Sequence, residues 1–472
     1  MSSAIVVGAG PNGLAAAATL AVRGVEVTVI EAAETIGGGA RSSELTLPGL
    51  VHDECSAFHP MAVESPALTS LGLERHGLEW ALAEVDLAHP FDDGSAAAMR
   101  RSIEETAAEL GAAGPAWKRL FGPSARGFDA LSEDILRPGL RLPRHPLRLV
   151  RFGLPSLAPA TALARTFPTA EARALFGGVA AHSFSPLSRP LSSAVAMALT
   201  ASGHSQGWPV ARGGSQAIAD ALAAVVRENG GRIETGRPVR SLAELPAADA
   251  ILLDLAPGAV ADLAGERLPS RVARAYRRWR HGPGAFKLDL AVEGGVPWAD
   301  PVSGRAGTVH AAGSFEEIVA GEREVNRGRI PERPFVLVGQ QYLADLSRSQ
   351  GDVHPVWTYA HVPSGYEGDA TEAILDQIER FAPGLRERVV GSHARSAADL
   401  AAYNPNYVGG DIVTGANTPL QLLARPRLAL DPYATGIPGV YICSAATPPG
   451  AGAHGMCGYN AAQAALRHLD RA

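Results

Sequence analysis

The chain has little cysteine, few aromatic residues and no large excess of charge of one sign. Its 472 residues contain three cysteines, Cys55, Cys443 and Cys457, and none of these belongs to a CxxC pair. This number excludes a disulfide scaffold, gives no reason to expect a zinc site and fits a reducing, cytoplasmic compartment. Aromatic residues make up 6% of the chain, charged residues 19%, and the net charge is −6. Neither a disordered chain nor a nucleic-acid-binding protein is therefore expected.

Targeting and membrane-spanning signals are also lacking. The chain begins Met1-Ser2-Ser3 and passes directly into a strand-like run, without the basic start of a secretory signal peptide. No apolar stretch approaches the roughly 20 residues that a membrane span requires. The length is too great for one compact core, so we expect two closely joined domains in a soluble, cytoplasmic protein.

A glycine-rich motif near the start carries the strongest signal. Residues 4–7 form a β-branched apolar run, and residues 8–13 read Gly-Ala-Gly-Pro-Asn-Gly before an alanine-rich helical segment. In such a strand–turn–helix unit the glycines allow a tight turn, close approach of a pyrophosphate and packing of the helix on the strand. The helix N-terminus then faces the phosphates. The predicted phosphate-site residues are Gly8, Gly10, Pro11, Asn12 and Gly13.

An acidic residue and a second glycine motif follow. Glu31 ends the next predicted strand, residues 25–30, where a carboxylate can bind the adenosine ribose hydroxyls and disfavours a 2′-phosphate. Residues 35–42 complete an E-x5-GG-x2-R-[ST] pattern. This pattern resembles the extended motif of glutathione-reductase-type FAD domains, which implies FAD rather than NAD. By that resemblance Gly38 and Gly39 follow the pyrophosphate and ribityl chain, and Arg41 lies near the phosphates or the flavin.

Two distant segments resemble the remaining parts of an FAD site. The first contains a predicted helix at 216–229 and a strand at 232–235, and in related flavoproteins the residue at Val239 meets the adenine through its backbone. The second is a predicted strand at 439–444 that leads through a glycine-rich turn into a helix-like stretch at 454–468. A helix N-terminus there would stabilise negative charge on the reduced flavin. The predicted cofactor contacts of the second segment are Ser444, Gly452, Gly455 and Met456.

At this level the chain resembles the phytoene desaturase-related FAD oxidoreductases nearly end to end, especially the branch called pyridine nucleotide-disulfide oxidoreductase domain-containing protein 2. The matching motifs are residues 6–10, 37–41, 48–49, 52–53, 181–183, 186–187, 190–191, 213–214, 404–406, 409–411, 425–426 and 446–460. The resemblance implies an α/β fold, with a Rossmann-type, glutathione-reductase-like FAD-binding domain and an α+β substrate domain built on an antiparallel sheet. The predicted FAD-binding domain comprises 1–85, 205–260 and 425–472, and the substrate domain comprises 86–204 and 261–424.

The predicted substrate domain contains strand-like runs and one unusual segment. Strands are expected at 286–292, 335–342 and 356–362, and a helix at 371–381. Residues 137–167 interleave leucine and proline with six arginines. This segment could lie on an anionic membrane and admit a lipophilic substrate. Its poor helical periodicity favours the alternative, a proline-broken connector whose arginines are simply solvated.

Two absences limit the choice of molecule that could reoxidise the flavin. Cys55 stands alone where a disulfide reductase would carry a redox cysteine pair, so disulfide chemistry is not expected. No second GxGxxG fingerprint on a strand–helix unit is present for a nicotinamide cofactor. We therefore expect an external electron acceptor, oxygen or a quinone, to reoxidise the flavin.

Catalytic residues are less well marked, because flavin carries the redox chemistry and the protein positions a C–H bond and removes a proton. The candidates for a base are His182 and His454, followed by Tyr403 and Asp411, and each has a hydrogen-bonded structural role as its alternative. The expected reaction is dehydrogenation of a small, lipophilic organic substrate. A flavin-dependent double-bond isomerase, an amine oxidase-like enzyme and a regulatory protein stabilised by FAD remain open alternatives.

Overall fold

The computed structural model describes residues 2–139 and 141–470, which form two large sheets and two small two-stranded sheets, surrounded by helices. The strands are β1 Ser3–Val7, β2 Glu26–Ile30, β3 Ser42–Ser43, β4 His52–Asp53, β5 Trp80–Ala81, β6 Val85–Pro90, β7 Ala96–Met99, β8 Val210–Ala211, β9 Arg232–Glu234, β10 Ala250–Leu253, β11 Gly284–Glu293, β12 Ala306–Ala311, β13 Val336–Gly339, β14 Val353–Val362, β15 Val389–Arg395 and β16 Val440–Ile442.

The α-helices are short to medium in length and concentrate between residues 103 and 206 and around the first sheet. They are α1 Pro11–Ala21, α2 Pro66–Leu71, α3 Ile103–Glu109, α4 Gly114–Ala125, α5 Phe128–Ile135, α6 Pro146–Ser156, α7 Ala160–Leu163, α8 Ala170–Ala181, α9 Ala194–Gln206, α10 Gln216–Glu228, α11 Pro257–Ala264, α12 Ser270–Arg277, α13 Phe315–Val325, α14 Thr371–Glu379, α15 Leu385–Arg388, α16 Ala397–Tyr403, α17 Pro419–Leu423 and α18 Met456–Leu469. Among the described residues, no helix has the length and apolarity needed to cross a bilayer.

The first sheet is a five-stranded parallel sheet with the order β16-β10-β1-β2-β9. Its central strands are apolar on both faces, because helices α1, α10 and α18 cover one face and α11 and α12 cover the other. All carboxyl ends lie at one edge, so residues far apart in sequence meet there. The residues that directly follow β1, β2 and β10 at this edge are Gly8, Glu31 and Asp254.

The second sheet is a seven-stranded mixed sheet with the order β15-β11-β14-β13-β12-β6-β7, in which only β6 and β12 run parallel. Strands β11 and β14 pair along their whole length, from Gly284 opposite Val362 to Glu293 opposite Val353. Side chains alternate between faces along β14. Val356 and Ala360 pack under α14, while Trp357 and Tyr359 face the helical layer that contains α8 and α9.

The architecture confirms the predicted fold class. All five parallel strands fall inside the three segments predicted for FAD binding, and the mixed sheet falls in the predicted substrate segments apart from the first residue of β6. The exact domain boundaries stay a prediction. The predicted strands at 286–292 and 356–362 are each longer in the structure, whereas the one at 335–342 ends at Gly339 and passes into a 3₁₀ turn.

The segment 137–167 differs from the connector that the sequence favoured. It contains α6 and α7, and α6 carries apolar residues on more than one side. Pro146 stands at the first position of α6, where a missing N–H costs nothing, and Pro155 stands at its end. Part of the apolar surface of α6 faces outward and part faces inward, so the sequence shows no single apolar face.

Candidate dinucleotide and substrate site

A cavity of about 1300 Å³ runs from the carboxyl edge of the parallel sheet to the face of the mixed sheet. One end contains the glycine motif and the residues after β2 and β10. The other end is bounded by α9, by strands β13 and β14 and by the segment that follows α16. One cavity can therefore hold two molecules, a dinucleotide at the first end and a second molecule beside it.

The N-terminus of α1 forms the first part of the dinucleotide end. Gly10 is its N-cap residue, no side chain caps it, and its first turn contains no acidic residue. A Cβ atom on Gly13 would overlap the carbonyl oxygen of Gly8, so only glycine permits this approach of helix to strand. Unpaired backbone N–H groups and the helix dipole make such an N-terminus a site for a phosphate group.

Glu31 directly follows β2 and binds the backbone of the glycine turn that follows β1. Its Oε2 accepts a hydrogen bond from the backbone N–H of Ala9 at 2.7 Å, and its Oε1 accepts one from Ala33 at 2.9 Å. Arg41 lies 3.6 Å from Oε1 and donates to the carbonyl of Thr35 at 2.8 Å. Both side chains line the cavity. Their contacts fix the position of the first glycine loop relative to the second, with the cavity between the two loops.

Asp254 is a residue of this end that the sequence did not predict. Its Oδ2 accepts a hydrogen bond from the backbone N–H of Gly13 at 2.9 Å. Burial raises the pKa of the carboxyl to about 7, an effect that the Gly13 hydrogen bond opposes and the nearby charge of Glu31 reinforces. The signal that could have found it is the apolar run Ala250–Leu253 ending in an acid, the same pattern that precedes Glu31.

Residues of the C-terminal segment form a further part of the wall at the dinucleotide end. Ser444 follows β16, lines the cavity and is 4% exposed, and its hydroxyl has no hydrogen-bond partner among the described residues. His454 also lines the cavity, and its Nδ1 accepts the backbone N–H of Met456 at 3.1 Å. Burial lowers the pKa of His454 to about 4, so its imidazole is neutral near pH 7. Helix α18 begins directly after this turn, with an uncapped N-terminus.

The residues at this end fit a bound dinucleotide. Two buried polar atoms, Oδ1 of Asn12 and the hydroxyl of Ser444, lack partners within the described protein and belong to residues that line the cavity. Buried polar groups of this kind are normally satisfied by a ligand or water. Val239 lies at the same end, as expected for an adenine contact. Backbone N–H groups, unsatisfied polar atoms and the carboxylate of Glu31 therefore lie together at this end, and their contacts with a cofactor stay predictions.

The other end of the cavity is mainly apolar. Helix α9 contributes Ala194, Val195, Ala198 and Leu199, whereas its Ala196 and Met197 are fully buried in the core. Aromatic and aliphatic side chains from the mixed sheet and the surrounding loops complete the wall. They include Phe58, Phe184, Leu337, Trp357, Tyr359 and Ile412.

His182 is one of few polar side chains at this apolar end. Its Nε2 lies 3.0 Å from Nε2 of His310, a buried residue of β12 that the sequence reasoning missed. Burial lowers the pKa of His182 to about 3, with a further contribution from the neighbouring His361. Both imidazoles of the pair are consequently neutral at pH 7. No spacing in the sequence points to His310, because the pair joins α8 to a distant strand.

The other two candidate bases have clear structural partners. The hydroxyl of Tyr403 donates to the carbonyl of Gly38 at 2.6 Å and so ties α16 to the second glycine loop. Asp411 accepts hydrogen bonds from the backbone N–H groups of Gly282 and Val413 at 2.8 and 3.0 Å. Asp411 does not line the cavity, which favours its structural alternative.

The structure brings most predicted site residues to one cavity, although their contacts with a ligand stay predictions. The predicted residues that line the cavity are Gly8, Gly10, Pro11, Asn12, Glu31, Gly38, Gly39, Arg41, His182, Val239, Tyr403, Ser444, Gly452 and His454. Gly13, Gly455 and Met456 lie just behind this wall, where Gly13 contacts Asp254, Gly455 packs near Ala15, and the sulfur of Met456 lies 3.3 Å from the backbone nitrogen of Ala67.

Known proteins share both the sequence pattern and the fold. Residues 6–71 match a family model described as an NAD(P)-binding Rossmann-like domain. The mouse protein named pyridine nucleotide-disulfide oxidoreductase domain-containing protein 2 is 24% identical, over 99% of this chain and 93% of its own. A hydroxyneurosporene desaturase of Cereibacter sphaeroides is 32% identical, over 50% of this chain and 49% of its own.

Solved structures extend the comparison to the whole fold. A putrescine oxidase with redesigned cofactor binding matches 100% of this chain and 99% of its own, with a TM-score of 0.63 at 18% identity. The chain has the fold of the FAD-dependent amine oxidases and protoporphyrinogen oxidases. The cyclohexylamine oxidase of Brevibacterium oxydans matches with a TM-score of 0.59 at 17% identity, over 100% of both chains. The resemblance predicted from sequence is confirmed, and these findings agree with an FAD-dependent oxidoreductase.

Proposed function

We propose that the protein is an FAD-dependent dehydrogenase that desaturates an apolar organic substrate and is reoxidised by an external acceptor, oxygen or a quinone. The supporting observation is the continuity between the dinucleotide end and the apolar end of one cavity. When bound, FAD supplies a two-electron acceptor for hydrogen removed from carbon. The desaturase among the relatives acts on hydroxyneurosporene by its name, which is consistent with a lipophilic substrate.

The acidic groups of the cavity favour this function over amine oxidation. Among the described lining residues, the carboxylates are Glu31, Asp134, Asp254 and Asp262. Glu31 and Asp254 belong to the dinucleotide end, and Asp262 lies on α11 beside it. Asp134 accepts the backbone N–H groups of Arg144 and His145 and pairs with the guanidinium of Arg137. No lining carboxylate is thus left at the apolar end to bind a substrate ammonium group.

The side chains of the apolar end act mainly by binding and orienting. Trp357 and Tyr359, whose rings stand edge to face at 5.2 Å, form an aromatic wall on the mixed sheet, and residues of α9 line the same cavity. An apolar space of this kind holds a hydrocarbon and excludes water. His182, which is neutral, can accept or donate a hydrogen bond at its free Nδ1. With a pKa near 3 it is a weak proton acceptor. Water is therefore favoured over this imidazole as the acceptor of the substrate proton.

Anaerobic visible spectroscopy of the purified protein tests the proposal. We expect bands of oxidised flavin that persist with NADH or NADPH and bleach on addition of hydroxyneurosporene in detergent micelles. Putrescine and cyclohexylamine should leave the bands unchanged. Admission of oxygen or a soluble quinone should restore them.

Other results would redirect the assignment. Bleaching by an amine would replace the proposal with an amine oxidase, and bleaching by a nicotinamide would indicate a reductase or isomerase. Ala198→Phe, which fills the apolar end, should abolish bleaching by the polyene with flavin content unchanged, whereas Ala198→Ser should retain it. A protein that binds no flavin after supply of FAD would remove the basis of the proposal.

A further inference from the structure

Exposed large apolar side chains concentrate in two segments of the chain. Leucine and valine are normally scattered on a protein surface, but here they cluster in 142–157 and 420–430. We call this set the apolar rim. Its members are Leu142, Leu147, Val150, Leu154, Leu157, Leu420, Leu423, Leu428 and Leu430, with exposures between 53% and 91%.

Helix α6 shows that the exposure is directional. Leu147, Val150, Leu154 and Leu157 follow each other at spacings of three and four residues and so form one stripe along the helix. The opposite side of α6 carries Phe152, which is buried. A helix that belongs only to the core would turn its apolar stripe inward. This helix has an outward apolar stripe as well as an inner contact.

Both segments of the apolar rim also border the cavity. Leu149, Phe152 and Leu157 line it from the first segment, and Leu422 and Leu423 line it from the second. The same short stretches thus form both the wall of the apolar end and the surface beside it. A molecule that reached the apolar end past these residues would leave an apolar surface to enter an apolar space.

The charge of these segments has one sign. From Ile135 to Ala170 the sequence contains no acidic residue and six arginines, although the whole chain carries a net charge of −6. Arg141, Arg148 and Arg151 are exposed and form no ion pair among the described residues. The second segment contains no acid between Ile412 and Leu430, and of its two arginines Arg425 is buried while Arg427 is half-buried.

We propose that the apolar rim docks the protein on a bilayer that contains anionic phospholipids, with α6 lying in the interface and the cavity open toward the lipid. Exposed leucines and arginines along α6, at the border of the cavity, match the acyl chains and the phosphate groups of such a bilayer. A second copy of the chain fits less well, because a two-fold contact through α6 would bring the same arginines of both copies together.

Vesicle flotation of the FAD-loaded protein tests the docking surface. We expect flotation with vesicles of equal phosphatidylglycerol and phosphatidylcholine, and little with phosphatidylcholine alone. Leu147→Ser/Leu154→Ser and Leu420→Ser/Leu428→Ser should each lower the bound fraction by about tenfold, because less apolar area enters the bilayer. Arg148→Glu/Arg151→Glu should do so as well, through loss of attraction to the anionic headgroups.

Matched substitutions elsewhere control for general surface effects. Leu346→Ser changes a leucine that is 70% exposed outside the apolar rim, and Arg23→Glu changes an exposed arginine after α1; both should float like the unsubstituted protein. Flavin absorbance reports that each variant is folded. Flotation needs no substrate, so it succeeds or fails independently of the proposed dehydrogenation.

Three results would overturn the docking proposal. The first is no flotation of the unsubstituted protein with either vesicle. The second is equal loss of flotation in the control variants. The third is a dimer in light scattering that the leucine variants dissociate while vesicle binding is absent, since a second copy would then cover the apolar rim.

Discussion

The carboxyl group of Asp254 accepts a hydrogen bond from the backbone N–H of Gly13 at 2.9 Å, directly behind the N-terminus of α1. It therefore lies beside the position expected for a pyrophosphate. The nearby charge of Glu31 acts on it electrostatically, and Asp254 in turn helps to raise the pKa values of the buried Cys443 and Cys457 thiols. An ionised carboxylate here would repel the phosphates, whereas a protonated one would not.

The pH dependence of FAD affinity should follow the pKa of Asp254. Because burial raises that pKa to about 7, the protonated, uncharged form predominates below pH 7 and the carboxylate above it. We expect FAD affinity to fall as pH rises through 7, by up to about tenfold per pH unit above it. Titration of the apoprotein with FAD, followed by flavin fluorescence, measures this change.

Asp254→Asn provides the matched variant, since its amide oxygen can still accept the Gly13 N–H but cannot ionise. Its FAD affinity should be nearly constant between about pH 6 and about pH 8. An unchanged pH dependence in this variant would assign the effect to another group.

Arg41→Ala should weaken FAD retention. The guanidinium holds the carbonyl of Thr35 and lies near Glu31, so its loss loosens the second glycine loop as well as removing a positive charge from the cavity wall. We expect a rise of about tenfold in the dissociation constant, which corresponds to about 1.4 kcal/mol. Arg41→Lys keeps the charge, and its dissociation constant for FAD should lie between those of the unsubstituted protein and Arg41→Ala. Full flavin content in Arg41→Ala after extensive dialysis would contradict the contact.

Replacement of His182 should flatten the acid side of the stability profile. Its folded pKa near 3 lies below the unfolded value of 6.5, so its contribution to stability is present above pH 6.5 and is lost as pH falls toward 3. The unsubstituted protein should lose about 2 kcal/mol more than His182→Gln between about pH 7 and about pH 5. Urea unfolding at both pH values measures the difference.

His182→Phe controls for the lost hydrogen bond to His310, because it also cannot titrate. Both variants should show the same reduced pH dependence even though their absolute stabilities differ. A slope equal to that of the unsubstituted protein in both would mean that His182 binds protons equally in the folded and unfolded states, so that burial does not lower its pKa.

Arg348 should be among the most costly residues to replace. It is fully buried, and its guanidinium donates to Asp53 and to the carbonyl of Ala211, both at 2.6 Å. Arg348→Met leaves a buried carboxylate without its partner and should reduce the free energy of unfolding by on the order of 3–5 kcal/mol.

A surface pair and a double variant give the comparison. Arg327→Met removes an exposed partner of Glu324 and should cost less than about 1 kcal/mol. Asp53→Asn combined with Arg348→Met should recover part of the loss, because the unpaired charge is gone. Equal costs for Arg348→Met and Arg327→Met in urea unfolding would contradict the importance of the buried pair.

The sequence predicted those parts of the site that local patterns encode. Gly8, Gly10 and Gly13 are required by one turn, and Glu31 follows a short apolar strand, so spacing alone located them. Residues 216–228 form the predicted helix because its apolar residues repeat on one face. These signals lie within one strand–turn–helix unit and need no knowledge of distant contacts.

Other residues could not be predicted in this way. Asp254 becomes important only because β10 pairs with β1, more than two hundred residues away in sequence. His310 approaches His182 through the packing of α8 on the mixed sheet. Helix α6 was not recognised because it carries apolar residues both in its outward stripe and on the inner side with Phe152, so no single apolar face stands out in the sequence.

The strand order of the parallel sheet has a consequence for how the protein assembles. Strand β16 pairs with β10, although five of the seven strands of the mixed sheet, β11 to β15, lie between them in the chain. The dinucleotide end is therefore incomplete until this long intervening stretch has folded back and brought its ends together, a slow type of contact to form. A nascent chain that has made only the glycine motif lacks the residues that follow β16, so we expect cofactor capture to come after this pairing has formed.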